Sequence, residues 1–113
     1  MEDCLFCKIA AGDIPSTRIY EDEDVVAFRD IDPQAPLHVL LIPKRHIDSA
    51  AELTAADGAL LGKIYEVAAQ IVSREGYTHG YRVVTNIGRD GAQSVKHLHF
   101  HLLAGRMMAW PPG

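Results

Sequence analysis

The chain has 113 residues, of which 48% are hydrophobic, and this length and composition predict one globular domain. Eleven basic and 15 acidic residues give a formal net charge of −4, which argues against a sequence-independent nucleic-acid binder because such proteins need a basic face. The sequence contains neither an apolar run of about 18 residues nor the basic start of a signal peptide, so we expect a cytoplasmic protein without a membrane span.

The first half of the chain predicts one short helix followed by three strands. The helix ends near Gly12 and is indicated by three apolar residues at helical spacing, Leu5, Phe6 and Ile9. Residues 17–21 and 25–29 have the composition of strands and are joined by an acidic turn. After a stiff, proline-rich loop, the apolar residues 38–42 predict a buried strand that stops at Pro43.

The second half predicts the main helix and two more strands. Thr54 and Asp57 have the spacing of a capping box, and a broad apolar stripe then continues to Gly76, its members being Leu60, Leu61, Ile64, Val67, Ala68, Ile71 and Val72. Residues 81–86 and 96–104 predict the last two strands. Strands grouped on either side of one long helix indicate an α+β domain with a largely antiparallel sheet of about five strands.

Three histidines alternate with apolar residues near the C-terminus. In a strand, His97, His99 and His101 would all point to one face. Such a row of imidazoles is compatible with a solvent-facing polar strand, with zinc binding, or with catalysis in which one imidazole is the nucleophile. Since three of the chain's six histidines fall on alternate positions, the first interpretation is the least favoured, and the residues alone leave the other two open.

A pair of cysteines lies near the N-terminus. Cys4 and Cys7 are separated by two residues. In a reducing compartment such a pair favours free thiols or metal ligation over a disulfide.

The histidine segment resembles the signature of the histidine triad (HIT) superfamily, in which each of three histidines precedes an apolar residue. Four further segments resemble its HINT-like branch, the histidine triad nucleotide-binding proteins, in the same order along the chain: residues 28–36, 38–44, 90–95, and 105–106 with 110–113. The resemblance covers nearly the whole sequence. It implies that residues 1–113 form a single domain with the HIT fold.

The resemblance also implies an activity. HINT-like proteins are purine nucleoside phosphoramidases, which cleave the P–N bond of an AMP-like substrate through a nucleotidyl-histidine intermediate and need no metal for that chemistry. By position, His99 corresponds to the nucleophile and His101 to the histidine that contacts the phosphoryl group and supports the leaving group. His38 matches a further histidine behind the nucleophile.

The nucleotide-binding residues follow from the same resemblance. Asp30 corresponds to the ribose-binding carboxylate, and a carboxylate suits two hydroxyl donors. Apolar walls around the purine are implied at Leu5, Phe6, Ile9, Phe28 and Ile31, and polar contacts near the phosphate at Asn86, Gln93 and Ser94. Trp110 belongs to a C-terminal tail that in this branch reaches the partner's active site, so the resemblance also implies a homodimer.

A structural zinc ion is a further implication, since some bacterial HIT proteins bind one. The matching ligands are Cys4, Cys7, His46 and His97, which have the two-thiolate, two-imidazole composition of a closed site. The alternative is two free thiols with His46 exposed. If zinc binds, His97 is structural and the chemistry rests on His99 and His101 with His38.

Other functions use the same pocket. The chain could be a nucleotide-binding regulator whose hydrolysis is incidental, or a dinucleoside polyphosphate hydrolase or nucleotidyl transferase of the same superfamily. The segment Gln93-Ser94 and the tail around Trp110 favour the phosphoramidase. A metal-dependent hydrolase built on His97 and His99 is least favoured, because the sequence offers neither an obvious third ligand nor a general-base glutamate nearby.

Overall fold

The computed structural model describes residues 3–113. Its helices and strands are α1 (Leu5–Ala11), β1 (Arg18–Glu21), β2 (Val25–Arg29), β3 (Leu37–Pro43), α2 (Gly58–Arg74), β4 (Tyr81–Val84) and β5 (Phe100–Ala104). The predicted order of a short helix, three strands, a long helix and two strands is therefore confirmed. No helix among residues 3–113 is long and apolar enough to cross a membrane.

All five strands form one antiparallel sheet in the order β1-β2-β3-β5-β4. The central strand β3 is buried along its whole length, because it has a neighbouring strand on each edge and packing on both faces. Leu40 of β3 pairs with His101 of β5, and His38 pairs with Leu103. The two central strands therefore bring histidines from distant parts of the sequence together.

The sheet has two different faces. One face packs against the long helix α2, and its buried members include Leu37, Val39 and Leu41 of β3 together with Phe100 and Leu102 of β5. The other face meets α1, where Phe6 and Ile9 pack on a small cluster made of Val26, Phe28, Leu40 and Ile42. Because side chains alternate along a strand, His38 and His101 lie on the α1 face.

The helix α2 begins later than the capping box predicts. The Thr54 and Asp57 box is present, but it caps a 3-10 turn at Ala55–Asp57, and α2 starts at Gly58. The helix ends at Arg74, and Gly76 follows with a φ of 84°, a backbone conformation that glycine adopts without strain. The predicted C-terminal boundary is thus close to the observed one.

The predicted strand 96–104 is wrong at its beginning, since β5 starts at Phe100, and β4 likewise stops at Val84 instead of residue 86. In the β3–β5 register Phe100 faces Leu41, so a longer ladder would soon reach Pro43, which has no N–H to donate. The backbone N–H of Leu98 instead donates to the carbonyl oxygen of Ile47 at 2.6 Å. His97 and His99 therefore lie in an irregular segment that precedes the strand.

Candidate active site and adjoining metal centre

The imidazole of His99 is held in one orientation by its own backbone segment. Its Nδ1 lies 2.7 Å from the carbonyl oxygen of His97, and since a carbonyl can only accept, Nδ1 carries the hydrogen. The Nε2 atom of neutral His99 is consequently left with a lone pair. The ring is 3% exposed and stands edge-on to Phe6, with 5.0 Å between the ring centroids.

A backbone amide fixes the tautomers of two further histidines. The N–H of Gln34 donates to Nδ1 of His38 at 3.0 Å, so neutral His38 carries its hydrogen on Nε2. That Nε2 lies 2.9 Å from Nδ1 of His101, which must then be the acceptor. His101 therefore carries its own hydrogen on Nε2, and this atom is a hydrogen-bond donor for an oxygen or nitrogen of a substrate.

Asp30 sits beside this histidine pair at the end of β2. Its Oδ2 lies 3.4 Å from Nε2 of His38, while its Oδ1 accepts the N–H of Asp32 at 2.8 Å. The N–H of Asp30 also donates to the carbonyl oxygen of His38 at 3.0 Å. These contacts hold the carboxylate near the rings with 18% of its side chain exposed.

The surroundings of His101 favour the neutral ring. Burial lowers the pKa of His101, and the positive charges that His99 and His38 could carry lower it further, whereas the Asp30 carboxylate opposes this. The two rings of His99 and His101 are neighbours, with centroids 5.2 Å apart. Nε2 of His101 is thus a hydrogen-bond donor, and Nε2 of His99 has a free lone pair. These two atoms belong to neighbouring side chains.

The apolar residues assigned to the purine walls divide into two groups. Phe6, Ile9 and Phe28 are buried in the core cluster on the α1 face. Leu5 and Ile31 are exposed, at 44% and 101% of their full accessible area. The sequence pattern does not separate the two groups, because exposure of an apolar residue on α1 or on the loop after β2 depends on what packs there.

The loop before the histidines is held by its own polar side chains. Gln93 donates from Nε2 to the carbonyl oxygens of Asp48 and Val95 at 2.7 and 3.0 Å, and its Oε1 accepts the N–H of Gly88 at 3.0 Å. Its polar groups are thereby engaged with the main chain. Ser94, by contrast, is exposed.

Asn86 and Gly91 close the same loop from its two ends. Asn86 donates from Nδ2 to the carbonyl oxygen of Gly91 at 2.6 Å. A Cβ on Gly91 would lie 2.3 Å from the carbonyl oxygen of Ile87, so only glycine fits at this position without a backbone shift.

The two cysteines converge with two histidines at the N-terminus of α1. Ligand atoms of Cys4, Cys7, His46 and His97 all lie within 4.8 Å of one another. The Sγ of Cys4 is 3.3 Å from Nδ1 of His97, and the Sγ of Cys7 is 3.3 Å from Nδ1 of His46. Zn–S and Zn–N bonds in a tetrahedral site place sulfur and nitrogen about 3.5 Å apart, so the four side chains fit one zinc ion.

Neighbouring groups orient the two imidazoles of this tetrad. Nε2 of His97 lies 2.9 Å from the carbonyl oxygen of Pro43, and Nε2 of His46 lies 2.7 Å from Oδ1 of Asp48. Both rings therefore present Nδ1 to the centre, as zinc-ligating histidines with such partners do. Burial lowers the pKa of His97, which favours the neutral ring that a metal requires.

The thiol of Cys7 needs a nearby cation in order to ionise. Burial, together with the hydrogen bond and charge of Cys4, raises the pKa of Cys7 to about 11. A bound zinc ion would remove this proton, because thiolates are the form that ligates metals. The tetrad thus has the chemistry of a structural zinc site.

The C-terminal tail lies on the surface of the chain. Trp110 is 86% exposed, and Arg106 donates from Nε to the carbonyl oxygen of Gln34 at 3.0 Å. A groove lies at the sheet edge beside β4, between the stretches 76–82 and 105–108. None of the histidines of the candidate active site lines it, so this groove and the candidate active site are in different places.

Several contributing groups were not singled out in the sequence. Thr85 donates from its hydroxyl to the carbonyl oxygen of His99 at 2.8 Å, and the amide of Gln34, the carbonyl of Pro43 and the carboxylate of Asp48 orient imidazoles. Backbone groups leave no signal in a sequence. Asp48 lies two residues after His46, and this proximity was the one available clue.

The sequence is similar to those of known proteins. A family model described as "Scavenger mRNA decapping enzyme C-term binding" matches residues 3–109. A HIT-like protein of Synechococcus elongatus is 51% identical over 112 residues, covering 99% of this chain and 98% of that protein. The 14 kDa zinc-binding protein of Zea mays is 52% identical over 112 residues, covering 96% of this chain and 87% of that protein.

A solved structure is similar as well. The crystal structure of a HIT family hydrolase from Legionella pneumophila superposes with a TM-score of 0.95 at 50% identity, covering 98% of this chain and 100% of that chain. The similarity therefore extends over nearly the whole chain.

Proposed function

The chain belongs to the histidine triad family, and from this membership we propose that it hydrolyses the P–N bond of purine nucleoside 5′-phosphoramidates through a nucleotidyl-histidine intermediate. The chain is similar to a HIT family hydrolase over its whole length, which supports the broader class of reaction. The observation that carries the proposal is the hydrogen bond from Nδ1 of His99 to the carbonyl of His97, because it leaves Nε2 free to act as a nucleophile.

In the first step, Nε2 of His99 attacks the α-phosphorus while the bond from phosphorus to the leaving nitrogen breaks. The negative phosphoryl group favours one extra proton on the hydrogen-bonded pair of His38 and His101, and Nε2 of His101 gives a proton to the leaving nitrogen so that a neutral amine departs. Positioning and charge neutralisation supply most of the catalysis in phosphoryl transfer. His101 is suited to this role because its ring neighbours that of His99.

In the second step, water attacks the same phosphorus and the bond to His99 breaks. The water proton returns to His101, so the enzyme is regenerated and the products are a nucleoside monophosphate and an amine. The two steps together consume one phosphoramidate and one water molecule. No metal ion is needed in either step.

The nucleotide would lie along the α1 face of the sheet. Asp30 would accept the ribose hydroxyls, and the exposed side chains of Leu5 and Ile31 would cover the purine. Asn86 and the exposed Ser94 would contact the phosphate region. The polar groups of Gln93 are engaged with the main chain, so we assign it the task of holding the loop that carries Ser94.

We further propose that Cys4, Cys7, His46 and His97 hold one structural zinc ion. Their spacing and their orienting partners support this, as does the relative from Zea mays that is called a zinc-binding protein. The zinc would fasten α1 to the segment before β5 without taking part in the reaction. His97 would then be a zinc ligand whose carbonyl oxygen accepts the Nδ1–H of His99 and orients that ring. The reacting imidazoles would be His99 and His101.

We also propose that the chain forms a homodimer. The strand β4 has β5 on one side only in the order of the sheet, and Tyr81 at its start is exposed. An open edge of this kind can pair with a second copy. Sedimentation of the purified protein over a range of concentrations tests this directly.

A substrate panel tests the function. Steady-state rates would be measured on an adenosine phosphoramidate, a dinucleoside polyphosphate and a nucleotidyl sugar, with the His99→Ala variant and the His79→Ala variant as a matched control, since His79 is an exposed loop residue. The phosphoramidate should be preferred, and only His99→Ala should abolish turnover. Tight AMP binding with negligible turnover of every substrate would instead identify a regulator.

A further inference from the structure

Asp30 has a contact that ribose binding does not explain. A residue that only accepts sugar hydroxyls has no need to approach the catalytic imidazoles, yet Oδ2 of Asp30 lies 3.4 Å from Nε2 of His38. The same Nε2 lies 2.9 Å from Nδ1 of His101. The carboxylate, His38 and His101 thus form a continuous series of polar groups. The series ends at Nε2 of His101, the proposed proton donor.

Asp30, His38 and His101 have the composition of a cation site. The positions of the ring hydrogens indicate a hydrogen-bond network instead. Ligand atoms of Asp30, His38 and His101 lie within 4.8 Å of one another. The N–H of Gln34 occupies the lone pair on Nδ1 of His38, so Nε2 of the neutral ring carries a hydrogen and has no lone pair for a metal. The negative charge of Asp30 faces this N–H.

We propose that Asp30 is a positioning residue for His101, acting through His38, in addition to binding ribose. The proposal rests on the phosphoramidase function proposed above. The carboxylate attracts the N–H of His38 and keeps negative charge beside both rings, which holds Nδ1 of His101 in its hydrogen bond and aims Nε2 at the phosphoryl group. It also offsets the positive charge that the pair of His38 and His101 acquires before His101 protonates the leaving nitrogen.

The backbone supports the same arrangement. The N–H of Asp30 donates to the carbonyl oxygen of His38, and the N–H of Asp32 holds Oδ1 of Asp30 at 2.8 Å. One oxygen is thereby fixed by the loop, and Oδ2 remains beside the histidines. Ribose hydroxyls that bind Asp30 would therefore meet a carboxylate already linked to the proton donor, so sugar recognition and the chemical step share one group.

Two substrates separate the two roles of Asp30. An adenosine 5′-phosphoramidate and its 2′,3′-dideoxy counterpart would be assayed with the wild-type chain, Asp30→Asn and Asp32→Asn. Asparagine at position 30 keeps an oxygen that can accept the N–H of Asp32, so the loop is retained. Asp32→Asn removes the same charge from an exposed side chain of that loop and serves as the control.

On the dideoxy substrate, which has no hydroxyls for Asp30 to bind, Asp30→Asn should still lower kcat by about tenfold or more, while Asp32→Asn should leave kcat unchanged. If Asp30 only binds sugar, Asp30→Asn will raise KM for the ribose substrate and leave the rate on the dideoxy substrate at the wild-type value. That result would overturn the positioning role.

Nitrogen-15 NMR of the histidine rings provides a readout that does not need turnover. Asp30→Asn should shift the ring-nitrogen resonances of His38 and His101, because a neutral amide no longer polarises the Nε2–H of His38, whereas Asp32→Asn should not. Unchanged spectra in Asp30→Asn would refute the inference. A wild-type chain that hydrolyses neither substrate would refute the proposed function instead, and the NMR measurement would still decide the positioning role.

Discussion

The hydroxyl of Thr85 donates a hydrogen bond of 2.8 Å to the carbonyl oxygen of His99. This contact takes the place of a ladder bond, because β4 has ended at Val84 and β5 has not yet begun at His99. The backbone of His99, the proposed nucleophile, is therefore held by a side chain, and its position depends on that side chain.

Thr85→Val should slow the reaction more than it weakens binding. Valine has nearly the shape of threonine but cannot donate, so we expect a loss of about 1 kcal/mol in the free energy of unfolding and a fall of about tenfold in kcat because the nucleophile is less well positioned. Steady-state kinetics and urea denaturation measure both. Thr78→Val, at an exposed loop position, should change neither; equal effects in the two variants would refute the role of Thr85.

Gly91→Ala should distort the loop before the histidines. The new Cβ would lie 2.3 Å from a backbone oxygen of Ile87, which can move only with the chain, so the cost should be about 1–3 kcal/mol. The displaced loop carries Ser94, so kcat should fall as well. The control is Gly62→Ala in α2, where a Cβ meets nothing within 4 Å and should stabilise the chain by about 0.5–1 kcal/mol. A Gly91→Ala variant as stable and active as the wild type would contradict the predicted clash.

Bound zinc should stabilise the folded chain without changing kcat. The purified chain should contain about one zinc ion, and Cys7→Ser should lose it, with a fall of about 2–4 kcal/mol in the free energy of unfolding, as expected for a ligand that binds only the folded state. Metal analysis and thermal unfolding measure this, and His79→Ala should retain the metal. After chelation, the fraction that stays folded should keep its kcat. A metal-free wild-type chain of full stability would contradict the site.

The ionisation of Asp22 should make the free energy of unfolding depend on pH. Burial opposes the ionisation of its carboxyl, but hydrogen bonds from Tyr20, from the N–H groups of Asp24 and Val25 and from Lys63 outweigh it and lower the pKa to about 2. A pKa lowered on folding stabilises the folded chain above the unfolded-state value of about 3.9, and that contribution disappears as the pH falls towards 2.

Asp22→Asn should therefore destabilise the chain by about 1–2 kcal/mol at pH 7, a value reduced for solvent screening. The difference from the wild type should shrink in urea titrations at pH 3 and vanish near pH 2. The control is Asp90→Asn, at a carboxylate that is 90% exposed, and this variant should leave the free energy of unfolding at pH 7 nearly unchanged. A difference that is independent of pH would refute the assignment to ionisation.

Much of the fold follows from the sequence, because periodicity reports which side of an element is buried. The apolar stripe of α2 and the alternation in β5 predicted the packing of Val67 and Leu102 correctly. The resemblance to the histidine triad family predicted the HIT fold, and the similarity to a solved HIT structure confirms it. The predicted start of β5 was wrong because a strand ends where its partner strand can no longer pair. The residue that limits pairing here, Pro43, lies on β3, so the sequence of β5 does not reveal it.

The site could be predicted only in part, for a related reason. The resemblance brought the four residues of the metal tetrad together, and the structure places their ligand atoms side by side. The tautomers of His38 and His101 depend on the N–H of Gln34, and no side-chain pattern encodes a backbone amide. The difference between the buried Phe28 and the exposed Ile31 is likewise decided by packing against α1.

We propose above that His99 carries the nucleotidyl group during turnover. The most direct measurement is a rapid alkaline quench of the wild-type chain with an adenosine phosphoramidate, followed by mass spectrometry of its peptides. We predict one nucleotidyl group on the imidazole of His99 before the nucleoside monophosphate accumulates, and none in His99→Ala. Turnover that persists in His99→Ala, or a nucleotidyl group on a different residue, would show that His99 is not the nucleophile.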